Sequence, residues 1–253
     1  MRADVSYVGF RRVDHAKSPA RSWSIADFVF VWLGGFLGVA VFFAVGLLFE
    51  NSDWTVVLAL AGQYIGNLAV LWILKTRKDK GSLGFSIEPR DTFYIGLGLA
   101  LQLGIALLLL PLAELLFPDG RPPQQVAEAL ADIDASMLLK ISLIVAAVVL
   151  APVTEELIFR GVLLRAIEPR GRALAIGVSA AVFSVVHVLG LDPERILASA
   201  AIVLPPIFVL GVLLAWITLR TGRLGPAIFI HSGWNLLAAL VLLLPPELLE
   251  AAP

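Results

Sequence analysis

The chain contains no cysteine, which excludes disulfides, thiolate zinc sites, iron–sulfur clusters and a cysteine nucleophile together. Charge is scarce as well: Asp, Glu, Lys and Arg make up 15% of 253 residues, against about 25% in an ordinary soluble domain. Net charge is −1, so no global basic surface points to nucleic acid. Only three histidines occur, at His15, His187 and His231. No internal repeat, low-complexity tract or soluble domain interrupts the sequence. What fills the chain instead is apolar sequence, 59% of residues, with a mean hydropathy of +0.90.

A bilayer span needs about 20 consecutive, mostly apolar residues. Such runs fall near 27–49, 54–74, 92–117, 138–164, 172–191, 197–219 and 226–245. The fold class is therefore all-α, a polytopic transmembrane bundle of about seven spans. The segment 122–134 (PPQQVAEALADID) is too short and polar to cross, and is expected at the interface. The first apolar run is too long for a cleavable signal, so it reads as an uncleaved anchor behind a polar tail.

Basic residues orient the chain. They gather in the tail (Arg2, Arg11, Arg12, Lys17, Arg21) and after the second span (Lys75, Arg77, Lys78, Lys80, Arg90). They recur from the end of the fourth onward (Arg160, Arg165, Arg170, Arg172) and after the sixth (Arg220, Arg223). The alternate loops keep Arg121, Lys140 and Arg195. This asymmetry predicts a cytoplasmic N-terminus and an outer C-terminus.

Against this background, APVTEELIFRG at 151–161 stands out. An ionised side chain near the bilayer centre costs roughly 2.5–3.5 kcal/mol on insertion scales, yet Glu155, Glu156 and Arg160 all fall within one span. Glu156 and Arg160 are four apart with the acid first, the favoured order for a pair on one helix face. Glu155 lies about 100° around an ideal helix from Glu156, so it lacks that partner. Pro152 removes a helical donor just upstream, to the Val148 carbonyl in α-helical register.

His187 follows Phe183 by four residues in the fifth span, and Asn235 follows His231 by four in the seventh. Gln63 and Asn67, also four apart, are either helix glue or groove lining. Each polar residue alone could be interhelical packing. Together, a carboxylate and an imidazole can hold and deprotonate a water, and a second imidazole or an amide can stabilise an oxyanion. The same Glu155, His187 and His231 could instead ligate a divalent metal such as zinc, although H-E-x-x-H is absent. Counting about 1.5 Å per residue, His187 stands about 22 Å along its helix from Arg172, and His231 about 12 Å from Arg223.

The ordered motifs E-E-x-x-x-R (Glu155, Glu156, Arg160), F-x-x-x-H (Phe183, His187) and H-x-x-x-N (His231, Asn235) resemble the CAAX protease and bacteriocin-processing (CPBP, or Abi) family of intramembrane peptidases. So do FRGVLLR and RTGRLGPAIFIHSGWN around them. The resemblance covers 138–245 as a peptidase core. It leaves 1–25 as a cytoplasmic tail, 26–137 as accessory helices with the interfacial segment, and 246–253 as a C-terminal tail. It implies that Glu155 and His187 activate water and that His231 and Asn235 form the oxyanion hole. Glu156, Arg160 and Phe183 would support them. It further implies a peptide or membrane-associated protein as substrate and, through its bacterial members, peptide maturation or bacteriocin immunity as role; the Ala- and Leu-rich composition and compact length point to the bacterial inner membrane as location. The alternatives are a non-catalytic binding or scaffold protein of the same fold and a proton-coupled transporter. The transporter would need polar residues along a full path and repeat symmetry, and neither is visible.

Overall fold

The structure is a computed structural model that describes residues 22–49, 52–118 and 136–243. Most of the N-terminal tail, the expected interfacial segment 122–134 and the C-terminal tail lie outside the described residues. Seven helices and no strand are present among those described. They are α1 (Ile25–Gly46), α2 (Ser52–Arg77), α3 (Tyr94–Leu116), α4 (Met137–Arg170), α5 (Arg172–Val186), α6 (Ile196–Thr221) and α7 (Gly225–Leu243). The first six, with the short 3₁₀ turns flanking α3, α5 and α6, are long and apolar enough to cross a membrane. The chain is an integral membrane helical bundle, and each helix lies within a few residues of its expected span.

Without a hydrophobic drive between helices in lipid, close packing relies on small residues. In α1 and α2 these are Gly34, Gly35 and Gly38 against Gly62 and Gly66. A Cβ on Gly38 would run into the carbonyl of Gly62, and one on Gly66 into that of Gly34. α3 meets α7 the same way, Gly98 against the Ile230 carbonyl and Gly233 against that of Ile95. α5 and α6 approach at Ala180 and Gly211.

α4 is the buried centre, and every residue from Glu156 to Leu164 is buried. It is also irregular. π-helical turns occupy Ala146–Leu150 and Glu156–Leu163, separated by α-helix at Ala151–Glu155. Such bulges insert an extra residue into the hydrogen-bond ladder and frequently mark functional sites.

The basic ends fold onto one face of the bundle. Leu224 and Gly225 donate to the carbonyls of Gly84 and Ser86, so α7 begins against the α2–α3 loop. Arg223 grips Asp91 through both terminal nitrogens at 2.9 and 3.0 Å. On the same face Lys80 pairs with Asp27 at 2.6 Å and donates to the Ser22 carbonyl. The Ser24–Asp27 capping box then fixes the start of α1. Arg195 lies on the opposite face, donating to the Leu116 carbonyl with its guanidinium over Phe117.

Candidate active site

The site is organised around one ring. Phe183 on α5 is fully buried, and its edges and faces meet Phe159 (5.1 Å), His187 (5.0 Å) and His231 (5.6 Å). The Arg160 guanidinium lies over its face at 4.3 Å, a cation–π contact in a desolvated setting. The two histidines, which simple rise counting sets at different depths, thus share one neighbour. Two features bring this about. Glu155 lies as many residues before Arg170 as His187 lies after Arg172, so the α4–α5 hairpin sets them level. The start of α7, meanwhile, is pinned to the α2–α3 loop at Gly84, Ser86 and Asp91.

Glu156 and Arg160 form a fully buried ion pair at 2.9 Å. The other end of the guanidinium donates to the Gly211 carbonyl at 3.2 Å, made accessible by the bare glycine on α6. Glu156 Oε1 also accepts from His231 Nδ1 at 3.1 Å. Because a carboxylate offers only acceptors when ionised, Nδ1 carries the proton. Nε2 of His231 then faces Glu155 Oε2 at 3.8 Å, beyond a direct hydrogen bond. Glu155 Oε2 has no hydrogen-bond partner.

Glu155, His187 and Asn235 line one cavity of about 470 Å³. His187 donates through Nδ1 to the Phe183 carbonyl at 2.7 Å. The carbonyl can only accept, which leaves Nε2 as a free acceptor. His231 is not in the cavity wall; it is 3% exposed and stands behind Glu155.

Asn235 shows what the irregular helix does. In the first π turn the Ala151 N–H bonds the Ala146 carbonyl, five residues back. The donor in the same register for Ala147 would be Pro152, which has none. Asn235 Nδ2 supplies it at 2.7 Å. The π register thus moves the orphan from Val148 to Ala147 and sets the orientation of the amide, whose second N–H remains available.

Several contributors are not among the polar residues that the sequence sets apart. Phe159 lines the cavity and meets Phe183 edge to face; Ser179 on α5 donates to the Phe159 carbonyl at 3.2 Å. Trp32, Phe36 and Tyr64 join the wall from α1 and α2, beside Gln63 and Asn67. Asn67 is 5% exposed, with its amide packed where a Cβ on Gly35 would stand. The signal for α1 and α2 was present in the spacings Gly34-x-x-x-Gly38 and Gly62-x-x-x-Gly66.

For a metal, Glu155 Oε2, His187 Nε2 and His231 Nε2 are chemically suitable donors. Glu156 and the Phe183 carbonyl already hold the opposite nitrogens of the two rings, as partners to metal-bound histidines do. Among the described residues, however, no three such groups converge closely enough to hold an ion. As positioned they do not fit one.

Fold and site together define a polytopic helical membrane protein with a carboxylate, imidazole and amide cluster enclosed inside its bundle. Residues 137–237, the segment that carries most of the site, match the family model described as Type II CAAX prenyl endopeptidase Rce1-like. No curated protein and no solved structure gives a match.

Proposed function

We propose that this chain is an endopeptidase that cleaves a membrane-associated protein or peptide by direct attack of water. The reading rests on Glu155, His187 and Asn235 lining a common cavity, with His231 behind Glu155. Glu155 accepts the proton of a water that the free Nε2 of His187 helps to hold, and the oxygen attacks the scissile carbonyl carbon. The spare N–H of Asn235 then donates to the resulting oxyanion. His231 can donate there through Nε2 only as the imidazolium, with Glu156 at Nδ1 as its counter-charge, since Glu155 by then carries the water proton. In that form Glu156, Arg160, His231 and the oxyanion sum to zero charge, which suits a site removed from water. Proton return from Glu155 to the departing amine completes hydrolysis.

The location fits the bacterial inner membrane, with the basic face and the N-terminus in the cytoplasm and a role in peptide maturation or bacteriocin immunity. A divalent ion would require movement of Glu155, His187 and His231 toward one another. The test is an inventory of peptide termini from cells making the wild type against cells making Glu155→Ala at matched levels. New ends present only with the wild type support the proposal and name a substrate. Identical inventories, with both proteins inserted and folded, point instead to a binding or scaffold role.

A further inference from the structure

A second cavity, of about 400 Å³, lies on the basic face between the start of α5 and the end of α6. Its lining is Arg172, Ile176, Trp216, Leu219 and Arg220. None of these residues belongs to the cluster around Glu155. The volume falls in the range of small-ligand sites, about 300–1,000 Å³.

The arrangement is amphipathic along the helix axes. Both arginines sit at helix ends and are exposed. Among the described residues neither has a carboxylate within ion-pair distance, whereas Arg160, Arg90 and Arg223 each do. Arg172 spends one N–H on the Leu219 carbonyl at 2.7 Å. That bond ties α5 to α6 and holds the guanidinium at the cavity, with most of its five donors unspent. Arg220 lies with its guanidinium 5.8 Å from the Trp216 ring. Toward the bilayer the wall is apolar: Ile176, Leu219 and the half-exposed Trp216 indole, a ring type that prefers headgroup depth.

We propose that this cavity binds the phosphate of an anionic lipid headgroup. Arg172 and Arg220 clasp the phosphate oxygens, and the first methylenes of an acyl chain lie along Ile176 and Trp216. Planar guanidinium forks match phosphate oxygens in pairs, and basic pockets between helices at the cytoplasmic side suit such headgroups. A free phosphate offers the same oxygens but would leave the apolar wall uncovered, so a lipid is the better occupant.

Native mass spectrometry of the whole protein in neutral detergent tests this. The probes are a phosphatidylglycerol, a phosphatidylcholine of the same chains, and inorganic phosphate as competitor. We expect one phosphatidylglycerol retained in preference to phosphatidylcholine, and not displaced by excess inorganic phosphate. Arg172→Gln with Arg220→Gln should weaken it about thirtyfold, about fivefold for each charge. Arg77→Gln with Lys78→Gln removes equal charge from the end of α2 and should change nothing. Lysine at both 172 and 220 should restore most of the binding, which separates lost charge from lost fold. Equal weakening by the α2 control, or none by the arginine variants, overturns the site. Displacement by inorganic phosphate, or equal retention of phosphatidylcholine, overturns the anionic lipid as its occupant.

Discussion

Asn235 on α7 donates its Nδ2–H to the carbonyl of Ala147 on α4 at 2.7 Å, filling the place that Pro152 cannot. A helix defect and a site residue are thereby joined in one hydrogen bond. Pro152→Ala restores an N–H opposite Ala147 and competes with that bond. It should leave thermal stability unchanged or raised while turnover falls, about tenfold or more if an oxyanion donor is misdirected. Asn235→Ala should differ by also costing stability, about 1–3 kcal/mol for the orphaned carbonyl. Thermal unfolding in detergent, read beside cleavage rate, separates the two.

The buried pair of Glu156 and Arg160 makes an opposite demand. Glu156→Gln leaves a guanidinium without its counter-charge at zero exposure, and should destabilise by about 3–5 kcal/mol. Replacing both residues with apolar ones of similar size should recover much of that loss. A denaturation series over the two singles and the double reads this as a non-additive cycle.

The histidines should part company. His187 lines the cavity and bonds only its own helix, so His187→Ala should abolish cleavage with a near-normal melting temperature. His231 is buried and bonded to Glu156, so His231→Ala should lower both. Equal melting temperatures for the two variants would contradict their different placements.

In α1, Gly38→Val must push the Gly62 carbonyl aside. The α1–α2 pair should loosen, at a cost of about 1–3 kcal/mol for overpacking, and the cavity wall carrying Phe36 and Tyr64 should shift with it. Disulfide cross-linking between cysteines placed on α1 and α2 reports the separation.

How much of this was legible in the sequence depended on contrast. Glu155, Glu156, Arg160, His187, His231 and Asn235 are conspicuous because polar residues are costly in apolar spans. The spacing of Glu156 and Arg160 announced their pairing, and the structure holds them as an ion pair. Ala146–Leu150 is uniformly apolar, by contrast, and nothing local distinguishes a π turn from an α turn there. The displaced orphan at Ala147 was therefore invisible, although Pro152 was not. The meeting of His187 and His231 at Phe183 depends on where α7 starts against the α2–α3 loop. That is set by Arg223 and Asp91, far apart in sequence. The α1–α2 glycines were readable but silent about which wall of the site they would build.

The account turns on dividing labour between two adjacent glutamates, and the direct measurement is Glu155→Gln beside Glu156→Gln. Peptide termini would be inventoried and melting temperatures taken on the same preparations. Glu155→Gln should remove every wild-type-dependent terminus while melting with the wild type, because its Oε2 carries no hydrogen bond to lose. Glu156→Gln should melt lower, from the loss of its bonds to Arg160 and His231. Persistent cleavage by a folded Glu155→Gln protein would contradict the assignment of Glu155 as the group that activates water.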